Sequence, residues 1–249
     1  IPDSRIFLGD YSRFSLTDID RLIVSPGLND NEPLIQDAKK LGIEIISDID
    51  IFVENTNQDY VVITGSNGKS TVTELVLLMC KKAKIRAAAG ANLGKPALDL
   101  LSNEIDIYLL ELSSFHLARC HHLPAKVAAL LNISNDHIDW HGSEENYHQA
   151  KYRIYREAIS SVYNRNNSKS LDYIGDRLNL SFGMDQGKQD HFGTLNYDGI
   201  TFLAKGTQRL LPLQDIKISG SHNIENILAA MSIGTLIGIP IAVSYTHLT

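Results

Sequence analysis

The sequence predicts an α/β fold that is built around a mainly parallel sheet and has a smaller β-rich edge. Apolar β-type runs alternate with helical patterns along almost the whole chain. Residues 60–71 pass from an apolar strand through a glycine-containing turn into a helix, which is typical of phosphate-binding α/β folds. The 249 residues, of which 43% are hydrophobic, are enough to fill one large core or two modest cores.

The first unit covers residues 1–56 and ends in the polar joint 55–58, where we place a domain boundary. Proline begins its first helix and Gly42 ends it. Asp48 is the expected N-cap of its second helix. The expected elements are strands at 5–8, 21–24 and 43–47, a turn at 25–27, and helices at 33–41 and 49–54.

The second unit runs from residue 57 to 240 and alternates strands with helices, as parallel strands require. Its expected strands are 60–64, 85–89, 105–112 and 126–133, and its expected helices are 70–82, one from Pro96, 144–159 and 221–236. Short strands and turn residues between 161 and 218 predict the smaller β-rich edge. Residues 241–249 begin no recognisable element, and we expect them to be a tail of uncertain origin.

Composition narrows the class of protein. The formal net charge of −6 and the pI of about 5.8 argue against a nucleic-acid partner or an anionic membrane surface. Cys80 and Cys120 are too few for a disulfide framework, so we expect reduced, buried thiols in a cytoplasmic protein. No segment approaches the roughly 18 consecutive apolar residues of a membrane span. We expect a monomer that binds neither nucleic acid nor a membrane.

The turn after the strand at 60–64 predicts an ATP site. Glycine lets backbone N–H groups approach phosphate oxygens, and the following helix N-terminus adds partial positive charge. Lys69 is expected to reach the β- and γ-phosphates, and the Ser70 hydroxyl to reach Mg²⁺. Ile63 stands where the common P-loop has its first glycine, so the loop is a variant. Its residues are Thr64, Gly65, Ser66, Asn67, Gly68, Lys69, Ser70 and Thr71. The alternative is an ordinary strand-to-helix turn with a solvated lysine.

Polar residues at two further strand ends are candidates for metal binding. Glu111 ends the apolar run 107–110, where an acidic group could hold Mg²⁺. The run 132–137 would bring His137 to the same edge if strands 105–112 and 126–133 are neighbours. A zinc site at His137, His141 and His148 is disfavoured, because no cysteine pair lies nearby.

Two helices carry further candidates. Lys151 has Tyr147 and Tyr155 four residues away on one helical face, so its stem could be covered and the pKa of its amine lowered. A solvated lysine is the plainer interpretation. Asn223 and Asn226 lie three residues apart at the start of the last helix, and their amides could read an adenine edge. Helix capping is the alternative role of Asn223.

Taken together, six ordered segments resemble the Mur ligase family, across about residues 5–240. The segments are 63–73, 92–99, 110–115, 131–139, 150–155 and 221–226. Leu110-Glu-Leu-Ser-Ser-Phe115 most resembles the members that add D-glutamate to UDP-N-acetylmuramoyl-L-alanine. The resemblance implies that ATP phosphorylates the muramoyl carboxylate and that the D-glutamate amine then attacks the acyl phosphate.

The resemblance also implies a role for each candidate residue. Lys69 and the loop would hold ATP, and Asn223 and Asn226 would contact its adenine. Lys69, Glu111, His137 and Lys151 would be the catalytic residues. Ser70 and Glu111 would serve one Mg²⁺, and His137 a second Mg²⁺ together with a carbamate formed on Lys151. The muramoyl substrate would contact Ser25, Asn92, Ser113 and His137.

The implied organisation has three parts. Residues 1–56 would be the remainder of a Rossmann-like N-terminal UDP-binding domain, and 57–240 a P-loop central ATPase domain. A C-terminal domain carrying most of the D-glutamate pocket would follow about residue 239, so we expect this chain alone to turn over little. The alternatives are another Mur ligase, a ligase like folylpolyglutamate synthase, a P-loop kinase or NTPase switch, and a nucleotide-binding fragment without activity.

Overall fold

A computed structural model describes residues 15–92, 94–134, 138–217 and 220–245. Its centre is a six-stranded sheet in which every neighbouring pair is parallel. The strands, in chain order, are β3 (Asp59–Thr64), β4 (Ala87–Ala91), β5 (Ile107–Glu111), β6 (Val127–Leu130), β7 (Ser160–Asn164) and β8 (Leu178–Phe182). Their order across the sheet is β4-β5-β3-β6-β7-β8. The predicted α/β class with a mainly parallel sheet is confirmed.

The order of the strands answers a condition that the sequence left open. The strands predicted at 105–112 and 126–133 are not neighbours, because β3 lies between β5 and β6 and pairs with both. β3 is the centre of the sheet, and Val61, Val62 and Ile63 have no exposed surface. Strands covered on both faces are continuously apolar, so the sequence pattern could not show which strands pair. The end of β3 is therefore flanked by the ends of β5 and β6.

Helices cover both faces of this sheet and bury a core on each. The helices are α1 (Pro33–Lys40), α2 (Asp48–Asn55), α3 (Lys69–Lys82), α4 (Ser114–Arg119), α5 (Ile138–His141), α6 (Glu144–Tyr152), α7 (Leu171–Ile174), α8 (Ser221–Leu236) and α9 (Ile241–Ser244). One core joins α3 and α8 to the sheet, and the other joins α2, α4 and α7. The bounds predicted for the last helix, 221–236, are confirmed.

The first unit is a parallel pair, β1 (Arg21–Ile23) and β2 (Glu44–Ile46), followed by a helix that reaches the second unit. Asp48 is not the N-cap of α2. Ser47 caps it instead, through a reciprocal pair of hydrogen bonds with Asp50. The helix begins at Asp48, one residue earlier than predicted, so Ser47 takes the N-cap position and its hydroxyl accepts a hydrogen bond from the backbone N–H of Asp50. Phe52 then packs edge-on against Tyr108 of β5, with ring centroids 5.1 Å apart.

Three further expectations need correction. The helix predicted at 144–159 ends at Tyr152, and after a 3-10 turn the chain enters β7 at Ser160. β7 and β8 belong to the central sheet, so the β-rich edge is smaller than predicted. It consists of the antiparallel strands β9 (Phe192–Tyr197), β10 (Ile200–Lys205) and β11 (Gln208–Pro212). The helix expected from Pro96 is only a 3-10 turn, Ala97–Leu100.

Several sequence predictions concern the ends and the thiols. Cys80 and Cys120 are both buried and free, and burial raises the pKa of Cys80 to about 11. The beginning of the predicted tail forms α9, and Val243 within it and Tyr245 after it pack against the core that contains α8. The strand predicted at 5–8 lies outside the described residues. None of the helices described is long and apolar enough to cross a membrane.

Candidate active site

The phosphate loop, residues 64–71, connects the central strand β3 to α3. Gly68 is the N-cap of α3 and has a φ of +84°, a conformation that side chains with a Cβ rarely adopt. A Cβ at Gly68 would also lie 2.4 Å from Oδ1 of Asn226 in α8. Glycine is therefore required there for two reasons, and Asn226, which the sequence marked as a candidate adenine contact, lies against the loop.

Asn132, which follows β6, holds the loop through its backbone. Its Oδ1 accepts a hydrogen bond from the N–H of Asn67 (2.9 Å), and its Nδ2 donates to the Asn67 carbonyl (3.0 Å). The Asn132 carbonyl accepts a third bond, from the N–H of Ser66 (3.1 Å). The sequence marked Asn132 only as part of a polar strand end. The available signal was an amide side chain at the polar end of a predicted strand.

Lys69 lies over the mouth of this loop. Its Nζ donates to the carbonyl of Gly65 (3.0 Å) and lies 3.5 Å from the carbonyl of Ser66. The side chain is half-buried, so the ammonium group stands at the surface of the loop rather than inside the protein. A cation at this point, beside the N-terminus of α3, makes the loop attractive to a polyanion.

Ser70 and Glu111 meet on the β5 side of the loop. The Ser70 hydroxyl donates to Oε2 of Glu111 (3.0 Å), and Nδ2 of Asn92 donates to Oε1 (3.2 Å). Glu111 is only 4% exposed, so these donors partly compensate for the burial of its carboxylate. Among the residues described, no three His, Cys, Asp or Glu side chains cluster to form a metal cage. A hydroxyl and a single carboxylate fit Mg²⁺, which keeps several waters and shares phosphate oxygens with its substrate.

Lys151 is buried in α6, with 2% of its surface exposed. Its Nζ lies 5.1 Å from the centroid of the Tyr147 ring, so the predicted cover by Tyr147 is present. Tyr155 lies beyond the end of α6, where its hydroxyl donates to the carbonyl of Val162. His137, the expected partner of Lys151 in metal binding, lies outside the described residues.

Three of the expected substrate contacts, Ser25, Asn92 and Ser113, are among the described residues. Ser113 caps α4, and its Oγ lies 2.7 Å from Nδ1 of His116. Nδ1 of His116 accepts a hydrogen bond from the backbone N–H of Ser113 (3.3 Å), and burial lowers the pKa of His116, which favours the neutral imidazole. Asn92 is exposed and contacts Glu111, whereas Ser25 is exposed on the turn after β1.

A cavity of about 470 Å³ opens beside the loop, where the sequence predicted adenine. Both Asn223 and Asn226 line it, and so does Thr71 of the loop. Its remaining walls are Asn67, Gly68, Leu131, Asn132, Phe182, His222 and Glu225. Sequence reasoning missed Phe182, because this residue reaches the cavity only through the position of β8 in the sheet.

Comparison with known proteins agrees with this geometry. The profile of the family described as "Mur ligase middle domain" matches residues 63–234. The UDP-N-acetylmuramoylalanine–D-glutamate ligase of Pseudomonas aeruginosa is 42% identical over 240 residues, covering 96% of this chain and 54% of that protein. The enzyme of the same name from Acinetobacter baylyi is 42% identical over 241 residues, with the same coverage. The chain thus spans about half the length of the curated relatives it matches.

Solved structures share the fold. A UDP-N-acetylmuramoyl-L-alanyl-D-glutamate–2,6-diaminopimelate ligase superposes with a TM-score of 0.67 at 18% identity, covering 92% of this chain and 59% of that one. The UDP-N-acetylmuramate–alanine ligase of Thermotoga maritima gives 0.62 at 20% identity, covering 96% of this chain and 56% of that one. At such identities the likeness concerns the fold alone.

Proposed function

This chain belongs to the Mur ligase family, and we propose that it carries the ATP-binding part of a ligase that joins D-glutamate to UDP-N-acetylmuramoyl-L-alanine. The observation that carries the proposal is the Ser70–Glu111 pair, 3.0 Å apart, at the junction of the phosphate loop and β5. The choice of substrate is supported by relatives that are 42% identical and bear the name of that activity. The predicted cytoplasmic location and monomeric state remain predictions.

ATP would lie across the loop with its base in the cavity beside α8. The amides of Asn223 and Asn226 would hydrogen-bond the adenine, since an amide both donates and accepts. Loop N–H groups and the α3 N-terminus would face the phosphates. Lys69 would exchange its bond to the Gly65 carbonyl for the β- and γ-phosphate oxygens.

Mg²⁺ would be held by the Ser70 hydroxyl and the Glu111 carboxylate. When bound, the ion neutralises charge that develops on the phosphoryl oxygens. Asn92 keeps the second carboxylate oxygen of Glu111 in place, so the carboxylate presents a fixed face to the loop. Lys69 supplies the second positive charge on the same side.

The chemistry would proceed in two steps. A muramoyl carboxylate oxygen attacks the γ-phosphorus, and the bond from phosphorus to the β–γ bridging oxygen breaks. ADP departs, and the muramoyl carboxylate has become an acyl phosphate. The D-glutamate amine then attacks the acyl carbon, inorganic phosphate departs, and the amine loses a proton. Ser25, Asn92 and Ser113 would contact the muramoyl substrate. The contribution of this chain is to hold the phosphoryl group that is transferred against the Lys69 ammonium group and the backbone N–H groups of the loop.

Lys151 would act as a carbamate rather than as an amine. A neutral lysine amine and CO₂ give a carbamate and one proton, which replaces a cation by an anion that can ligate metal. The support is its burial at 2% exposure on the face of Tyr147. His137 would complete the second Mg²⁺ site. As an ammonium group, Lys151 would repel a metal ion, so the second site depends on the modification.

Calorimetric titration of ATP with Mg²⁺ tests the proposal. We expect binding by the unaltered chain and at least about tenfold weaker binding by Lys69→Ala, because the lost ammonium faces phosphate directly. Lys81→Ala, at the exposed far end of the same helix, is the matched control and should bind as the unaltered chain does.

Addition of substrates distinguishes the ligase from the other classes. Because this chain alone is expected to turn over little, the test measures binding: a ligase is expected to bind UDP-N-acetylmuramoyl-L-alanine, whereas a kinase or an NTPase switch would ignore that compound. A folded sample that does not bind ATP would contradict the assignment of the loop.

A further inference from the structure

A continuous row of contacts connects the turn after β1 with the phosphate loop. It runs from Gly27 through Trp140, His141 and Tyr147 to Ser66. Gly27 lies in the turn that carries Ser25, a proposed substrate contact, and Ser66 lies in the phosphate loop. The three aromatic residues between them belong to α5 and α6.

At the loop end, the Tyr147 hydroxyl lies 2.9 Å from Oγ of Ser66. Ser66 Oγ accepts a bond from the N–H of Ser134 (2.9 Å) and donates its single proton to the Ser134 carbonyl (3.2 Å). Since that proton is engaged, Tyr147 must be the donor to Ser66. Tyr147 is 1% exposed, so its hydroxyl has no ready exchange with bulk water. The bond therefore ties α6 to the loop.

In the middle of the row, His141 is packed on three sides by rings. Its ring centroid lies 4.6 Å from that of Trp140, 5.4 Å from that of Tyr147 and 5.6 Å from that of Phe115. Its Nε2 lies 3.0 Å from Oγ of Ser114, so the ring is also held in its plane. Such close packing leaves little room to absorb a displacement, and a shift of one ring must be passed to the next.

At the other end, Trp140 holds the first unit. Its Nε1 donates to the carbonyl of Gly27 (3.1 Å), and its own carbonyl accepts from Nδ2 of Asn29 (3.3 Å). The indole also lines a cavity of about 280 Å³ together with Asn29, Lys39 and Arg119. A change in how the turn sits against Trp140 would change the surroundings of the indole.

We propose that Trp140, His141 and Tyr147 are positioning residues that couple the turn at 25–29 to the phosphate loop, so that a change in conformation at either end alters the conformation of the other. The coupling rests on the proposed function, because it requires ATP to bind at the loop. Its starting point is Lys69, whose Nζ is 3.5 Å from the Ser66 carbonyl. When Lys69 turns to phosphate, Ser66 loses that contact and shifts. Its hydroxyl is bonded to Tyr147, so the position of Tyr147 shifts as well.

Trp140 makes the coupling measurable, because it is the single tryptophan of the chain. ATP is expected to change the emission of Trp140, which lies outside the lining of the nucleotide cavity described above. Tyr147→Phe keeps the ring and removes the hydroxyl. We expect that variant to bind ATP about threefold to tenfold more weakly by calorimetry and to lose the emission change even at saturation.

Tyr108→Phe is the matched control. Tyr108 is also buried, and its hydroxyl also makes hydrogen bonds, to the backbone of Ser102 at the opposite end of β5. This variant should keep both the ATP affinity and the emission change. A merely structural loss of a buried hydroxyl would affect the two variants alike, whereas coupling affects only Tyr147→Phe.

A double-mutant cycle gives an independent readout. Trp140→Phe should weaken ATP binding, although Trp140 does not contact the loop, and the variant with both substitutions should bind no more weakly than Tyr147→Phe alone. Additive effects, an unchanged emission on ATP binding, or a full emission change in Tyr147→Phe would each overturn the coupling while leaving the proposed function intact. Absence of ATP binding by the unaltered chain would overturn both.

Discussion

The carboxyl ends of β5 and β6 flank the phosphate loop on opposite sides and stabilise different parts of it. On the β5 side, Glu111 accepts a hydrogen bond from the Ser70 hydroxyl and so belongs to a cation site. On the β6 side, Asn132 bonds the backbone of Asn67 and so maintains the shape of the loop. The end of β5 thus supplies a charged group for a cation, whereas the end of β6 supplies an amide that holds the conformation of the loop.

The difference follows from side-chain chemistry. A carboxylate has only acceptor atoms when ionised, so it can face a hydroxyl or a metal ion but cannot satisfy a backbone carbonyl. An amide has one acceptor and two donor hydrogens, which match the N–H and the C=O of a single residue. Substitution on each side should therefore give a different dependence on Mg²⁺.

Glu111→Gln should have the largest effect. The amide cannot replace a carboxylate as a Mg²⁺ ligand, so we expect ATP affinity in the presence of Mg²⁺ to fall about tenfold to a hundredfold. Affinity measured in EDTA should stay within about twofold, because the loop backbone is untouched. Paired calorimetric titrations check this. Glu104→Gln, an exposed carboxylate before β5, is the control. Equal losses with and without Mg²⁺ would show that Glu111 is structural.

Asn132→Ala should have a smaller effect on ATP affinity, and that effect should not depend on Mg²⁺. Two hydrogen bonds to Asn67 are lost, and we expect ATP affinity to fall about tenfold both in Mg²⁺ and in EDTA. The free energy of unfolding should decrease by about 1–3 kcal/mol, as judged by urea denaturation. Asn103→Ala, exposed at the other end of the sheet, should change neither quantity. A loss confined to Mg²⁺ titrations would remove the distinction between the two sides.

The smallest expected effect is the change of folding stability with pH that comes from His116, which follows β5. Burial lowers the pKa of His116, so between that value and the ordinary value of about 6.5 the unfolded chain binds more protons than the folded chain. The stability that His116 contributes is therefore fully present above about pH 6.5 and is lost as the pH falls through this window. Urea denaturation at several pH values measures it.

His116→Gln provides the comparison for that pH series. Glutamine is a common residue at the third position of a capping box and does not titrate. The variant should show a shallower loss of stability below pH 6.5. It should not become flat, because burial also lowers the pKa of His191. Identical slopes in the two proteins would mean that His116 makes no contribution.

The parts of the site that could be predicted are those carried by local sequence. Lys69 and Ser70 follow a glycine after an apolar strand, and that spacing alone predicts a phosphate loop. Glu111 could be selected because the carboxyl ends of parallel strands meet at one edge of the sheet. The helix at 221–236 was predicted with its observed bounds for the same local reason, since glycine and apolar periodicity define it.

The parts that could not be predicted join residues far apart in the chain. Asn132 reaches Asn67 across 65 positions, Tyr147 reaches Ser66 across 81, and Trp140 reaches Gly27 across 113. Whether β5 and β6 were neighbours also lay beyond the sequence, because continuous apolar strands carry no mark of the strand beside them. The early end of α6 at Tyr152 has a similar origin, since the chain turns at 153–159 so that β7 can pair with β6.

By itself, the sequence determined the α/β class, the phosphate loop and the identity of the residues that could face phosphate and metal, because spacing along one strand or helix turn encodes them. Only the tertiary structure decided that β3 lies between β5 and β6, that Asn132 holds the loop, and that Trp140 and Tyr147 connect the first unit to it. The physical reason is that these choices depend on which surfaces bury one another, and burial is a property of the folded chain as a whole.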